Sequence, residues 1–359
     1  MHTGRKVAGR LLAVLAATSL GPCGTALSAN AQFRLVTEGA DADLEIARDL
    51  AKFVAPGADL QLEVIAADGS AESLRRLISD PTVKLATAQS DAYQAFLDQV
   101  ERNPGSDELS RPLRVVVPLY NEEIHFIVRA DAPYDYVHQI KDAKINVGPP
   151  RSDTAVTASA LYRVMFDKPL KEPQASFLTH EQALVKLATD KTIDVVAIVA
   201  GQPARLLANM KPEARQYIKL LKLDPKHAAG AAALRAYLPA TMHAQSYPAL
   251  LKTDLPALAV KVYLVTQDFR DHQTESRLIR FGRSLCQNIS TLQAKGHPKW
   301  KEVELKQGQL ARGWRYYQPT TTELYNCPTS ARRDSRRSRS RTSERRTLLA
   351  RASASRHPL

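Results

Sequence analysis

Four times in this chain a short apolar strand ends in a polar or glycine-containing link and passes directly into a helix, and that repeated junction constrains the fold more than any other feature. The junctions centre on Ser70, on Gln89-Ser90, on Ser152 to Thr154 and on Gly201-Gln202. The third is the fullest. Lys144 to Val147 has the pattern of a buried strand, and Ala155 to Phe166 that of a helix with an apolar stripe. Ser152, Asp153 and Thr154 stand at the helix start, where unpaired N–H groups and the positive end of the dipole gather. Such a turn either caps its helix or holds a small anion. From Phe33 onward the same alternation recurs: Phe33 to Thr37 as strand, Leu44 to Val54 as helix, Gln61 to Ala66 as strand, Ala71 to Ile78 as helix, Lys84 to Ala88 as strand. This rhythm predicts an α/β fold with mostly parallel sheets and helices on both faces. Ligands of open α/β sheets sit outside the carboxyl ends of the strands, where all four junctions lie.

A length of 359 residues suits two domains with real cores, and 44% hydrophobic residues fits a globular body. The amino terminus differs in kind. Arg5, Lys6 and Arg10 precede an apolar run from Leu11 to Leu20, and Ala29-Asn30-Ala31 offers small residues around a cleavage point before Gln32. That is the layout of a secretory signal peptide, too short for a membrane span. A lipid anchor at Cys23 competes with it, but Pro22 is a poor fit before such a cysteine. Cleavage leaves Cys286 and Cys327, which an oxidising compartment would pair; two free, buried thiols are the alternative. The formal charge of +13 suggests nucleic acid until it is located. Ten arginines lie beyond Pro328 against only Asp334 and Glu344, so the charge belongs to a tail and implies no specific nucleic-acid partner.

Around Val115 to Arg129 the alternation breaks. Two apolar runs, Val115 to Leu119 and Ile124 to Val128, flank Tyr120-Asn121-Glu122-Glu123, which we read as a crossing into a second lobe. A return crossing is expected near 223 to 240, followed by a strand from Val260 to Val265 and a long helix from Glu275 to Ala294. Pro203 fits the first position of its helix. The expected organisation is a signal peptide over 1–31, lobe I over 32–125 and 236–328, lobe II over 126–235, and a basic, disordered tail over 329–359.

Several stretches carry a family resemblance: Asp68-Gly69-Ser70 with Leu74, Ala88-Gln89-Ser90-Asp91, Leu119-Tyr120-Asn121-Glu122, Val147-Gly148-Pro149-Pro150 with Ser152 and Thr154, Ile193-Asp194 with Gly201-Gln202-Pro203, and Trp314-Arg315-Tyr316-Tyr317. In this order they resemble the TAXI-type solute receptors of tripartite ATP-independent periplasmic (TRAP) transporters, over roughly residues 33 to 320. The resemblance implies a two-lobed periplasmic binding protein of the second structural type, monomeric and without a cofactor. It implies closure on a small carboxylate such as glutamate or a 2-oxo acid, and delivery to a membrane permease driven by an ion gradient. Junctions and matching stretches together place Ser70, Gln89, Ser90, Tyr120, Glu122, Arg151, Ser152, Asp153, Thr154 and Gln202 on the cleft.

Two departures bear on the ligand. Where the family has a glycine-rich turn followed by paired tyrosines, this chain has Thr37-Glu38-Gly39-Ala40-Asp41-Ala42-Asp43. Glu38 or Asp41 facing the cleft would repel a carboxylate and favour an ammonium group or a metal ion; as helix-start residues they would merely cap. Arg151 and Asp153 stand where the family usually has glycines, and Arg151 either clamps a ligand carboxylate or pairs with Asp153 at the surface. Other functions find less support. The sequence lacks His-x-x-x-His and Cys-x-x-Cys spacings, a Gly-x-Ser-x-Gly turn, a phosphate loop and a dinucleotide fingerprint. His125 and His180 lie in an apolar strand and at a helix start, contexts of packing and capping rather than catalysis. A ligand sensor on the same fold, with transport lost, is the other reading.

Overall fold

The computed structural model describes residues 31–39, 41–93, 95–96 and 112–327. Residues 1–30 of the expected signal peptide and the expected tail over 329–359 lie outside these residues, whereas Ala31 falls in the first strand. Strand β1 (Ala31–Glu38) pairs in parallel with β2 (Leu60–Ala67) and with β3 (Val83–Gln89). Helix α1 (Asp41–Asp49) follows β1, and α2 (Ser70–Ser79) connects β2 to β3. Both faces of β1 are covered: Phe33 and Leu35 enter one core, and Val36 enters another with Leu74 and Leu77 of α2.

Two long strands join this half to the next. They are β4 (Leu113–Arg129, 17 residues) and β10 (Leu255–Gln267, 13 residues), antiparallel to each other. Between them in sequence come β5 (Ile145–Asn146), α3 (Asp153–Phe166), β6 (Ala175–Ser176), α4 (His180–Thr189), β7 (Val195–Ala200), α5 (Arg205–Ala208), β8 (Ile218–Leu220), α6 (Ala228–Ala236) and β9 (Leu238–Met242). The sheet runs β2-β1-β3-β10-β4-β7-β5-β6, with β8 beside β4 and β9 beside β10. Each half therefore repeats one plan: the second strand, the first and the third, then a long shared strand. The first three strands of each half are parallel, whereas every pairing of β4 and β10 is antiparallel.

The chain forms a two-lobed α/β fold. Its cores change identity within the long strands: Leu119 and Tyr120 belong to the first lobe, and Ile124 and Phe126 to the second. On β10 the change falls between Val260 and Val262. The break expected at Tyr120 to Glu123 is thus continuous strand. Its two glutamates stay inside because each finds a partner, as described below. The way back also comes later than 223–240. Leu223, Ala229 and Ala233 pack into the second lobe, as do Met242, Tyr247 and Leu250, and β10 makes the return. The alanine-rich α6 can lie close because its contact residues are small; a Cβ on Gly230 would overlap the Asp224 carbonyl oxygen.

Helix α7 (His272–Lys295) starts with the Asp271 carboxylate accepting from the Thr274 N–H, and buries Leu278, Phe281, Leu285 and Leu292. Cys286 on α7 is disulfide-bonded to Cys327, just past α8 (Gln318–Tyr325), with a Cα–Cα distance of 5.4 Å. Among the described residues, no helix is long and apolar enough to cross a membrane. Pro203 does not open its helix. It lies one residue before the N-cap Ala204, whose N–H is held by the Tyr247 hydroxyl at 3.0 Å.

Candidate functional site

The amino termini of α2 and α3 meet face to face, one from each lobe. Ser70, the first residue of α2, donates its N–H to Asp153 Oδ1 at 2.7 Å and its hydroxyl to Asp153 Oδ2 at 2.6 Å. Asp153 is the first residue of α3, so its carboxylate lies at the positive ends of two helices. The approach needs Gly69, because a Cβ there would meet the Arg151 carbonyl oxygen at 2.9 Å and Asp153 Oδ1 at 3.0 Å. Gly148 serves the other side. Its φ of +80° suits glycine, and a Cβ would lie 3.0 Å from His180 Nε2 and 3.3 Å from Ser152 Oγ.

A chain of hydrogen bonds extends from this contact. The Gln89 N–H donates to Ser70 Oγ at 2.8 Å, and Gln89 Nε2 donates to Glu122 Oε2 at 2.5 Å. Thr157 Oγ1 lies 2.8 Å from Gln89 Oε1 and 2.9 Å from Asp91 Oδ2, and the Tyr237 hydroxyl reaches the same Asp91 oxygen at 3.2 Å. A hydroxyl has one proton, so Thr157 donates to only one of these two oxygens at a time. Burial pushes the Asp91 pKa up, against the hydrogen bonds it accepts from Thr157 and Tyr237.

The site is acidic. Asp43, Glu122 and Asp153 are all buried. Burial first, then the neighbouring Asp43 and Glu38, raise Glu122 well above the usual carboxylate range; its side-chain hydrogen bond with Asp43 acts in the same direction. Asp153 is pushed up to about 7 by burial, with Asp43 and Asp91 adding to the effect and its bonds from Ser70 opposing it. Tyr120 is buried beside Asp43 and is held neutral far above its ordinary range, chiefly by burial.

The other expected residues divide between framework and surface. Ser152 caps α3: its Oγ accepts from the Ala155 N–H at 3.2 Å and donates to the Pro149 carbonyl at 2.8 Å. Thr154 Oγ1 accepts from the Val199 N–H at 3.1 Å and fastens α3 to β7. Ser90 is held by its backbone, donating to the Lys261 carbonyl at 2.7 Å and accepting from Trp314 Nε1 at 2.9 Å. Gln202 joins the interlobe crossing instead of the acidic cluster, with its N–H 2.7 Å from Glu123 Oε2 and its side chain on Thr241 and His243. Arg151 points outward with a side chain 77% exposed, 3.6 Å from Asp68 and not paired with Asp153. His125 is a packing residue between Tyr247 and the Ile198 carbonyl, kept neutral by burial with a pKa of about 4.

Sequence reasoning did not single out Asp43, Asp91, Thr157 or Tyr237. Asp43 shares the stripe of Ile46 and Ala47 on α1, and Thr157 the stripe of Leu161 on α3. A polar residue at a core position of an amphipathic helix was the available signal. Ser152→Ala should remove only the cap, lowering the unfolding free energy by about 1 kcal/mol. Urea denaturation checks this; a loss below about 0.3 kcal/mol would contradict the capping role.

A sequence profile of the NMT1-like family matches residues 41–313, which takes in every element described above except β1 and the end of the chain. The chain belongs to the NMT1-like family. Solved structures similar to this NMT1-like chain include the arginine-, lysine-, histidine-binding protein ArtJ from Geobacillus stearothermophilus, at 14% identity and a TM-score of 0.42, covering 78% of this chain and 98% of that one. XAC2383 from Xanthomonas citri, bound to chloride ion, is 13% identical with a TM-score of 0.43, covering 82% and 97%. The periplasmic sulfonate-binding protein SsuA from Methylobacillus flagellatus is 11% identical with a TM-score of 0.43, covering 84% and 79%. No curated protein matches this chain.

Proposed function

We propose that this NMT1-like chain is an extracytoplasmic solute-binding receptor that closes two lobes on a small polar solute and hands it to a membrane permease. The carrying observation is the meeting of two helix amino termini from opposite lobes at Ser70 and Asp153, ringed by buried polar groups. Such a contact forms on closure and breaks on opening about β4 and β10. The resemblance to TAXI receptors supports a TRAP-type permease as the partner. The leader-like amino terminus and the Cys286–Cys327 bridge support the periplasm as the place of action.

The charge of the site favours a solute bearing a protonated amine. Asp43, Glu122 and Asp153 are confined together, and a cation among them would let them ionise, whereas a bare carboxylate would add to their repulsion. A second reading keeps the carboxylate solute implied by the resemblance, and one observation favours it. The N–H and hydroxyl of Ser70 form an anion seat, filled here by Asp153, that a ligand carboxylate could take over. An amino acid satisfies both readings.

A thermal-shift screen of the mature chain against amines, amino acids and carboxylates separates them. A ligand at 100 times its dissociation constant should add about 2.7 kcal/mol to stability. Shifts with amines or amino acids support the first reading, and shifts confined to carboxylates support the second. No shift with any class at millimolar concentration would count against a receptor for such solutes.

A further inference from the structure

On the far flank of Ser90 and Asp91, a cavity of about 940 Å³ opens between the lobes. One wall comes from the second lobe, residues 234–239, and the facing wall from the first lobe, residues 302–312. Its floor is β10 around Lys261. The volume lies in the range of small-molecule sites, roughly 300–1,000 Å³.

Lys261 gives the cavity a chemical preference. Its side chain is half-buried in the middle of a strand, opposite Asn121. Among the described residues its ammonium has no hydrogen bond and no carboxylate within 4 Å, unlike Lys299, which is held by Glu123 and Glu302. The nearby Glu302 is already engaged by Lys299 at 2.8 Å and by the Asn121 N–H at 3.1 Å. A partly buried cation without a close partner is costly unless an anion arrives. Glu304 also lines the cavity, paired with Lys306 at 3.6 Å; Arg235 and Arg312 add cations from the two walls, while Leu234 and Leu310 supply apolar surface.

We propose that this cavity is a second ligand site, taking an organic anion whose acid group meets Lys261 and whose apolar body lies against Leu234 and Leu310. Its occupant touches both lobes. Asp91 and Tyr237 line it and also bond across the lobes, to Thr157 and to each other, so occupancy favours the closed arrangement.

The test uses 8-anilinonaphthalene-1-sulfonate as the anionic probe and N-phenyl-1-naphthylamine as its uncharged counterpart, on the folded mature chain. Saturable fluorescence enhancement by the sulfonate is expected, with the neutral probe binding at least about tenfold more weakly. Lys261→Met should weaken sulfonate binding roughly tenfold or more, and Arg312→Ser, on an exposed loop where folding is not at stake, should weaken it severalfold. Equal binding of both probes, no saturable binding, or unchanged sulfonate affinity in Arg312→Ser and in a folded Lys261→Met would each overturn the proposal.

Discussion

Lys299→Met should lower the unfolding free energy by about 3–5 kcal/mol, far more than an ordinary lysine substitution. Lys299 is almost wholly buried, with its ammonium 3.0 Å from Glu123 Oε1, 3.1 Å from Glu123 Oε2 and 2.8 Å from Glu302. Glu123 is buried too, on β4 where the chain passes between lobes, and also accepts from the Gln202 N–H at 2.7 Å. Burial raises the Glu123 pKa, and the Lys299 charge is the largest influence holding it down. Without that charge the carboxyl must remain ionised and unpaired or take up a proton, so the deficit should shrink as pH falls. The double variant Glu123→Gln with Lys299→Met should recover much of the loss, because replacing both members of a buried pair is far milder than removing one. Urea denaturation of both single variants and the double variant forms the cycle that measures the coupling. A single variant within about 1 kcal/mol of the parent would show that the pair does not hold the crossing together.

That pair also explains why the crossing was hard to place from sequence. Tyr120-Asn121-Glu122-Glu123 has the composition of a turn, and isolated strand preference would end β4 there. The partners that keep it in the sheet come from far along the chain: Lys299 for Glu123, Gln89 for Glu122 and Glu302 for the Asn121 N–H. No local window contains them. The strand-to-helix junctions were legible because their signals are local. Ser152 lies where a cap is needed, and β1, β2, β3 and β7 fall within a few residues of their apolar runs. Arg151 illustrates the opposite limit. Spacing placed it beside Asp153 but could not show that a φ of 69° turns it outward while Asp153 turns inward to Ser70.

Asp153→Asn should flatten the dependence of stability on pH between about 4 and 7 in the ligand-free chain. The carboxyl has a folded-state pKa of about 7 against an ordinary value of 3.8, so the folded chain holds its proton over a range where the unfolded chain has lost it. Stability from this source is therefore fully present below pH 3.8 and is lost as pH rises through about 7. Moving one carboxyl that far corresponds to on the order of 4 kcal/mol, comparable to the whole effect expected at Lys299. The groups facing Asp153 are Ser70 on α2, whose two bonds favour the ionised form, and Asp43 and Asp91, whose charges disfavour it. Asparagine keeps an oxygen for the Ser70 N–H and cannot ionise, so its stability should hardly change across the window. Denaturation of both proteins at pH 5, 6, 7 and 8 checks this: the parent should decline toward alkaline pH while the variant stays nearly level. Parallel slopes would show that Asp153 titrates near its ordinary value, and the acidic cleft would then repel a ligand carboxylate even in mildly acidic solution.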